Sequence, residues 1–208
     1  MSQGQNNEII IVDDDPSVRD ALSVVFSLEG YHVTSFADGQ SLLTAARART
    51  PSCILLDVHM PGRSGLDILR ELNAQAYPAP IFIISGQGDI PMAVDAIKAG
   101  ALDFIEKPFN AETVVSRVRE AIQAWDRRRE SGGGSDLLGA AFPGRDMLTP
   151  REREVLAQIA GGASNKEAGR HLGISPRTIE VHRARIMEKL GAKNAADLVR
   201  IVMSEARH

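Results

Sequence analysis

Two kinds of hydrophobic patterning divide this chain of 208 residues. In the first part, short unbroken apolar runs are separated by segments in which apolar residues return every three or four positions. The runs Glu8 to Val12, Tyr31 to Phe36, Cys53 to Leu56, Pro80 to Ile84 and Leu102 to Ile105 have the length and content of strands buried on both faces. Between them, Pro16 to Leu28, Ser41 to Arg49, Gly65 to Ala74, Ile90 to Ala99 and Ala111 to Arg127 or beyond read as helices, the first opened by its proline and followed by Gly30. Five strands alternating with five helices predict right-handed crossovers and a parallel sheet covered on both faces.

From Thr149 onward the pattern is wholly helical. Thr149 and Pro150 open a helix to about Ala160, Gly161-Gly162 ends it, and Ser164 caps a second helix through Leu172. Gly173-Ile174 makes a tight turn, Ser175-Pro176 starts a third helix to about Leu190, and a fourth runs from about Asn194 to Met203. The second helix, the glycine turn and the third helix predict a helix-turn-helix, whose last member enters the major groove of DNA. Ile179, Ile186 and Leu190 would face its core. Between the two parts, Gly132 to Gly134 cannot sustain a helix and predict a flexible tether. The expected organisation is an α/β domain over residues 1–130, a linker over 131–147 and an all-α four-helix domain over 148–208.

Charge sharpens this division. Residues 1 to 148 carry 13 basic and 20 acidic side chains, net −7, whereas residues 149 to 208 carry 11 and 7, net +4, together the −3 of the whole chain. An acidic front and a basic tail point to a second domain that meets a polyanion. With 43% hydrophobic and 25% charged residues the composition is that of an ordinary globular protein. The first residues lack the basic start and apolar core of a signal peptide, and no apolar run reaches about 18 residues. A cytoplasmic location without membrane contact is expected. The single Cys53 lies in an apolar run and reads as a small buried hydrophobe.

The predicted strand ends carry the candidate chemistry. The first delivers Asp13 and Asp14, the third Asp57, the fourth Ser85 and the fifth Lys107, so a parallel sheet would gather them at one edge, where such sheets bind ligands. Three close carboxylates repel one another unless a cation holds them, and hard oxygen ligands suit Mg²⁺. Lys107 and the Ser85 hydroxyl would bind oxygens of a phosphoryl group on Asp57. The implied reaction is phosphoryl transfer to a carboxylate.

This constellation resembles the receiver domain of bacterial two-component response regulators over about residues 7 to 127. The resemblance implies a flavodoxin-like fold with a five-stranded parallel sheet, in which Asp13 and Asp14 hold Mg²⁺ and Asp57 accepts phosphate from a sensor histidine kinase. It also implies that the His59 backbone carbonyl completes the protein ligands and that Pro108 follows a cis peptide. Ser85 and Phe104 match the hydroxyl and aromatic switch positions, although Phe104 lacks the hydroxyl of the tyrosine found in many relatives. Lys98, Asp103 and Arg117 are candidates for ion pairs across a receiver dimer.

The tract Leu148 to Leu190 resembles the LuxR-type DNA-binding domain through Leu148-Thr-Pro-Arg-Glu152, Asn165-Lys-Glu167 and Ser175-Pro-Arg-Thr-Ile-Glu-Val-His182. From this resemblance Glu180, Val181 and Ala184 would face bases, while Lys166, Arg177, Thr178, Arg183 and Arg185 would anchor phosphates. Gly169 departs from the pattern, where isoleucine is usual, and is expected to loosen its helix. Together the two resemblances imply a response regulator of the FixJ or NarL kind, a homodimer when phosphorylated, with double-stranded DNA and RNA polymerase as partners. Two other readings stand beside it. One is an aspartate-nucleophile phosphatase with an accessory tail, against which His59 occupies the position where a second acid belongs. The other is a kinase-independent DNA-binding protein that retains an inert receiver.

Overall fold

The computed structural model describes residues 7–86, 90–130 and 142–203. The chain forms two compact units, residues 1–122 and 123–208. In the first unit β1 (Glu8–Val12), β2 (His32–Phe36), β3 (Cys53–Asp57), β4 (Ile81–Ser85) and β5 (Asp103–Glu106) build one sheet in the order β2-β1-β3-β4-β5. All neighbouring strands are parallel. The helices between and after them are α1 (Pro16–Leu28), α2 (Gly39–Ala48), α3 (Gly65–Glu71), α4 (Ile90–Ala99) and α5 (Ala111–Glu130).

Strands β1, β3 and β4 are central, and their side chains are apolar on both faces. Ile9 to Val12, Cys53 to Leu56 and Ile81 to Ile84 are all buried, whereas edge strand β2 is only half covered. Side chains set the helix ends as expected. Asp15 caps α1 ahead of Pro16, and Asp38 caps α2 by accepting from the Ser41 amide at 2.8 Å. Helix α3 stops at Glu71, three residues before its expected end, because Asn73 adopts a left-handed conformation with φ of 51°. The Lys107-Pro108 peptide is cis.

In the second unit a 3₁₀ turn (Arg145–Met147) precedes α6 (Pro150–Ala160), α7 (Asn165–Leu172), α8 (Pro176–Leu190) and α9 (Ala195–Met203). Both α6 and α7 open with capping boxes, Thr149 with Glu152 and Ser164 with Glu167. Gly173 ends α7 at φ 67° and turns the chain into α8. Val155, Leu156, Ala168, Ile179, Ile186 and Leu198 form the core, while Leu190 is half-buried. Gly169 does not loosen α7. It is buried, and a Cβ there would stand 2.6 Å from the carbonyl oxygen of Ile174, so the absent side chain lets the turn close on the helix. The expected tether Gly132 to Gly134 lies outside the described residues. Among the described residues, no helix is long and apolar enough to cross a membrane.

Candidate functional site

The strand order reverses between β1 and β3, and beyond the carboxyl ends at such a reversal open parallel sheets bind ligands. Asp13 and Asp14 follow β1, and Asp57 is the last residue of β3. One carboxylate oxygen from each of the three lies within 4.8 Å of the others. Asp13 and Asp57 are buried and Asp14 is exposed, so the cluster opens toward solvent on one side. Lys107 bridges the two buried acids, its Nζ donating to Asp13 Oδ2 at 2.8 Å and to Asp57 Oδ1 at 3.0 Å. Burial pushes the Asp57 carboxyl above its ordinary range; Lys107 opposes the shift and the nearby Asp13 adds to it. Burial pulls the Lys107 ammonium down, but its bonds to Asp13 and Asp57 outweigh that and leave it raised, hence charged. Crowded oxygen ligands with a single bridging ammonium fit a divalent cation chemically.

The other expected residues surround this cluster. Ser85 ends β4 and is buried, one position past the register partner of Asp57. Phe104 lies buried in β5, opposite Ile83. His59 is exposed in the loop after β3.

Two supporting residues, Arg19 and Gly65, escaped sequence reasoning, and Arg117, expected in ion pairs across a dimer, has contacts within its own chain. Arg19, on α1, donates Nη1 to the carbonyl oxygens of Asp13 at 2.6 Å and Asp14 at 3.0 Å, pinning the acidic turn. Gly65 opens α3 so close to β3 that a Cβ would meet the Asp57 carbonyl oxygen at 2.4 Å. Arg117 on α5 donates to Asp103 Oδ2 at 2.5 Å and to the Phe104 carbonyl oxygen at 2.7 Å. Asp103 is buried against Arg117 of its own chain. Lys98 pairs locally with Asp95 at 3.6 Å.

In the second unit, Arg177, Glu180, Val181 and Ala184 recur at helical spacing and share the outward face of α8, opposite the buried Ile179, His182 and Ile186. Lys166 is exposed on α7 and Arg183 is half-exposed beside that face. Of the other two expected phosphate anchors, Thr178 is buried and Arg185 half-exposed. Thr178 is fully enclosed, its hydroxyl 2.9 Å from the Ser175 hydroxyl, because it turns toward the inner side of α8. Arg185 stands beside the buried Glu152, with Nε 3.8 Å from Oε1.

The Leu148 to Glu152 motif turns out to be scaffold. Thr149 caps α6, and Arg151 donates Nη2 to the Leu172 carbonyl oxygen at the end of α7, 2.9 Å away. Glu152 accepts from the Thr149 amide at 2.8 Å and from Lys189 of α8 at 2.7 Å. Burial pushes the Glu152 carboxyl up, but Lys189, the Thr149 amide and Arg185 prevail and hold it below its ordinary range.

The first unit thus has the doubly wound fold and edge-clustered acids of a phospho-acceptor domain, and the second is a helix-turn-helix bundle. Residues 9–119 match the response regulator receiver domain family, and residues 146–202 match the bacterial regulatory proteins of the luxR family. The transcriptional regulatory protein FixJ of Bradyrhizobium diazoefficiens is 40% identical over 94% of this chain and 94% of its own. The response regulator protein TmoT of Ectopseudomonas mendocina is 40% identical over 95% of this chain and 88% of its own. The crystal structure of full-length FixJ from B. japonicum, 39% identical, aligns with a TM-score of 0.56 over 94% of this chain and 95% of that one. The chain belongs to the two-component response regulators that join a receiver to a LuxR-type DNA-binding domain, and it regulates transcription.

Proposed function

We propose that Asp57 is the residue phosphorylated, by a sensor histidine kinase, and that this modification controls DNA binding by α8. The reading is carried by the convergence of Asp13, Asp14 and Asp57, with Lys107 bridging Asp13 and Asp57. Asp13, Asp14, Asp57 and the His59 carbonyl would hold Mg²⁺, which when bound neutralises the entering phosphoryl charge and favours the ionised carboxylate. An Asp57 oxygen forms the new bond to phosphorus while the bond to the kinase's histidine nitrogen breaks. Lys107 then pairs with a phosphoryl oxygen, and the Ser85 hydroxyl donates to another. Phe104 responds in β5, whose carbonyl Arg117 ties to α5. Turnover beyond slow self-phosphorylation and self-dephosphorylation is not part of this reading.

In the receiver (1–130), linker (131–147) and DNA-binding domain (148–208), the outward face of α8 would enter the major groove. Glu180, Val181 and Ala184 would meet bases, with Lys166, Arg177, Arg183 and Arg185 on phosphates. The phosphorylated protein would act in the cytoplasm as a homodimer and engage RNA polymerase. Incubation with acetyl phosphate and Mg²⁺, followed by intact mass, tests the chemistry. A stable adduct of roughly 80 Da, one phosphoryl group, is expected in the wild type and absent in Asp57→Asn. An adduct retained in that variant would refute the assignment, and rapid multiple turnover would favour a phosphatase.

A further inference from the structure

The acid on the outward face of α8 has a hydrogen-bond partner across the helix-turn-helix. Asn165, the first residue of α7, donates Nδ2 to Oε1 of Glu180 at 3.3 Å. A carboxylate can only accept, so the amide must present its NH₂ group, and Oε2 of Glu180 retains its capacity to accept from a ligand. Glu180 is exposed and shares its face with Arg177, Val181 and Ala184.

An acid on a surface that meets DNA is repelled by phosphates whatever the sequence, so it disfavours every site that does not offer it a donor. In the major groove the donors are the amino groups of cytosine and adenine, and glutamate characteristically accepts from cytosine N4. A free glutamate side chain sweeps over several base pairs through its rotatable torsions, and averaging blurs any preference. A carboxylate held at one oxygen cannot sweep in this way.

We propose that Asn165 is a specificity-determining positioning residue: by holding Oε1 of Glu180 it aims Oε2 at one base position and selects cytosine there. The inference rests on the reading that α8 turns Glu180 toward the bases.

Selection from a random-sequence DNA duplex pool by the full-length, acetyl-phosphate-treated protein, followed by sequencing, tests both levels. The wild type is expected to show a cytosine preference at one position of each half-site, which Glu180→Ala erases. Asn165→Ala should weaken that preference about three- to tenfold while leaving the other positions, the melting temperature and the salt dependence of non-specific binding unchanged. Asn165→Asp, which sets two carboxylates against each other, should weaken it further. If Glu180→Ala leaves every position unchanged, the reading that Glu180 meets bases fails, and the inference with it. If Glu180→Ala flattens one position and Asn165→Ala keeps the full preference there, the inference alone is overturned. A uniform loss over all positions in Asn165→Ala would also overturn it, because that is the signature of a scaffold residue.

Discussion

At the acidic edge of the sheet, three carboxylates are kept together by two cationic side chains that act on different atoms. Lys107 binds the carboxylates of Asp13 and Asp57, and Arg19 binds the backbone carbonyls of Asp13 and Asp14. Replacing Arg19 by alanine should free the turn and weaken Mg²⁺ binding about tenfold, as loss of an outer support typically does. Titration calorimetry with unchanged far-UV circular dichroism checks this, and undiminished affinity would remove Arg19 from the site. Asp13, Asp57 and Lys107 were legible in the sequence because each follows an apolar run that could only be a buried strand. Arg19 was not, since a side chain that binds main-chain oxygens leaves no pairing of residue types to read. Thr178 was read as a phosphate anchor from the family pattern alone, and its burial on the inner side of α8 could not be seen in that pattern.

Elements meet through close approaches and buried ion pairs. Gly65 lets α3 start against β3, and Gly65→Ala should destabilise the first unit by about 1–3 kcal/mol and disturb Asp57, read as a lower urea midpoint with reduced phosphoryl adduct. In the second unit, α6 and α8 are joined at Glu152, whose folded carboxyl is held below its unfolded value. That contribution is fully present above the unfolded value of about 4.3 and is lost as pH falls through the lower folded value. Glu152→Gln should therefore cost about 2 kcal/mol at neutral pH and flatten the acid limb of the stability profile in melts from pH 7 to pH 3. An unaltered acid limb would mean that Glu152 does not titrate in the folded unit. Strand and helix bounds were legible to within a few residues because caps, prolines and apolar runs are local signals. The Arg151 contact to Leu172 was not, because it depends on the angle at which α6 and α7 cross, and the Gly169 approach to Ile174 was not, because it depends on how tightly the turn closes on α7.

On the scale of the whole chain, an acidic unit that accepts a charged group is joined to a basic unit that meets a polyanion, a division already visible in the net charges of −7 and +4. The charge asymmetry and the two kinds of hydrophobic patterning announced two functions, but the coupling between them is a free-energy difference that no residue pattern encodes. Its most direct measurement is the affinity for a duplex recovered from the random-sequence pool, followed by fluorescence anisotropy over a salt series, with and without acetyl phosphate. Phosphorylation is predicted to tighten wild-type binding about tenfold or more, while Asp57→Asn stays at the untreated level at every salt concentration. Binding by Asp57→Asn as tight as that of the phosphorylated wild type would contradict phosphate on Asp57 as the control of DNA recognition.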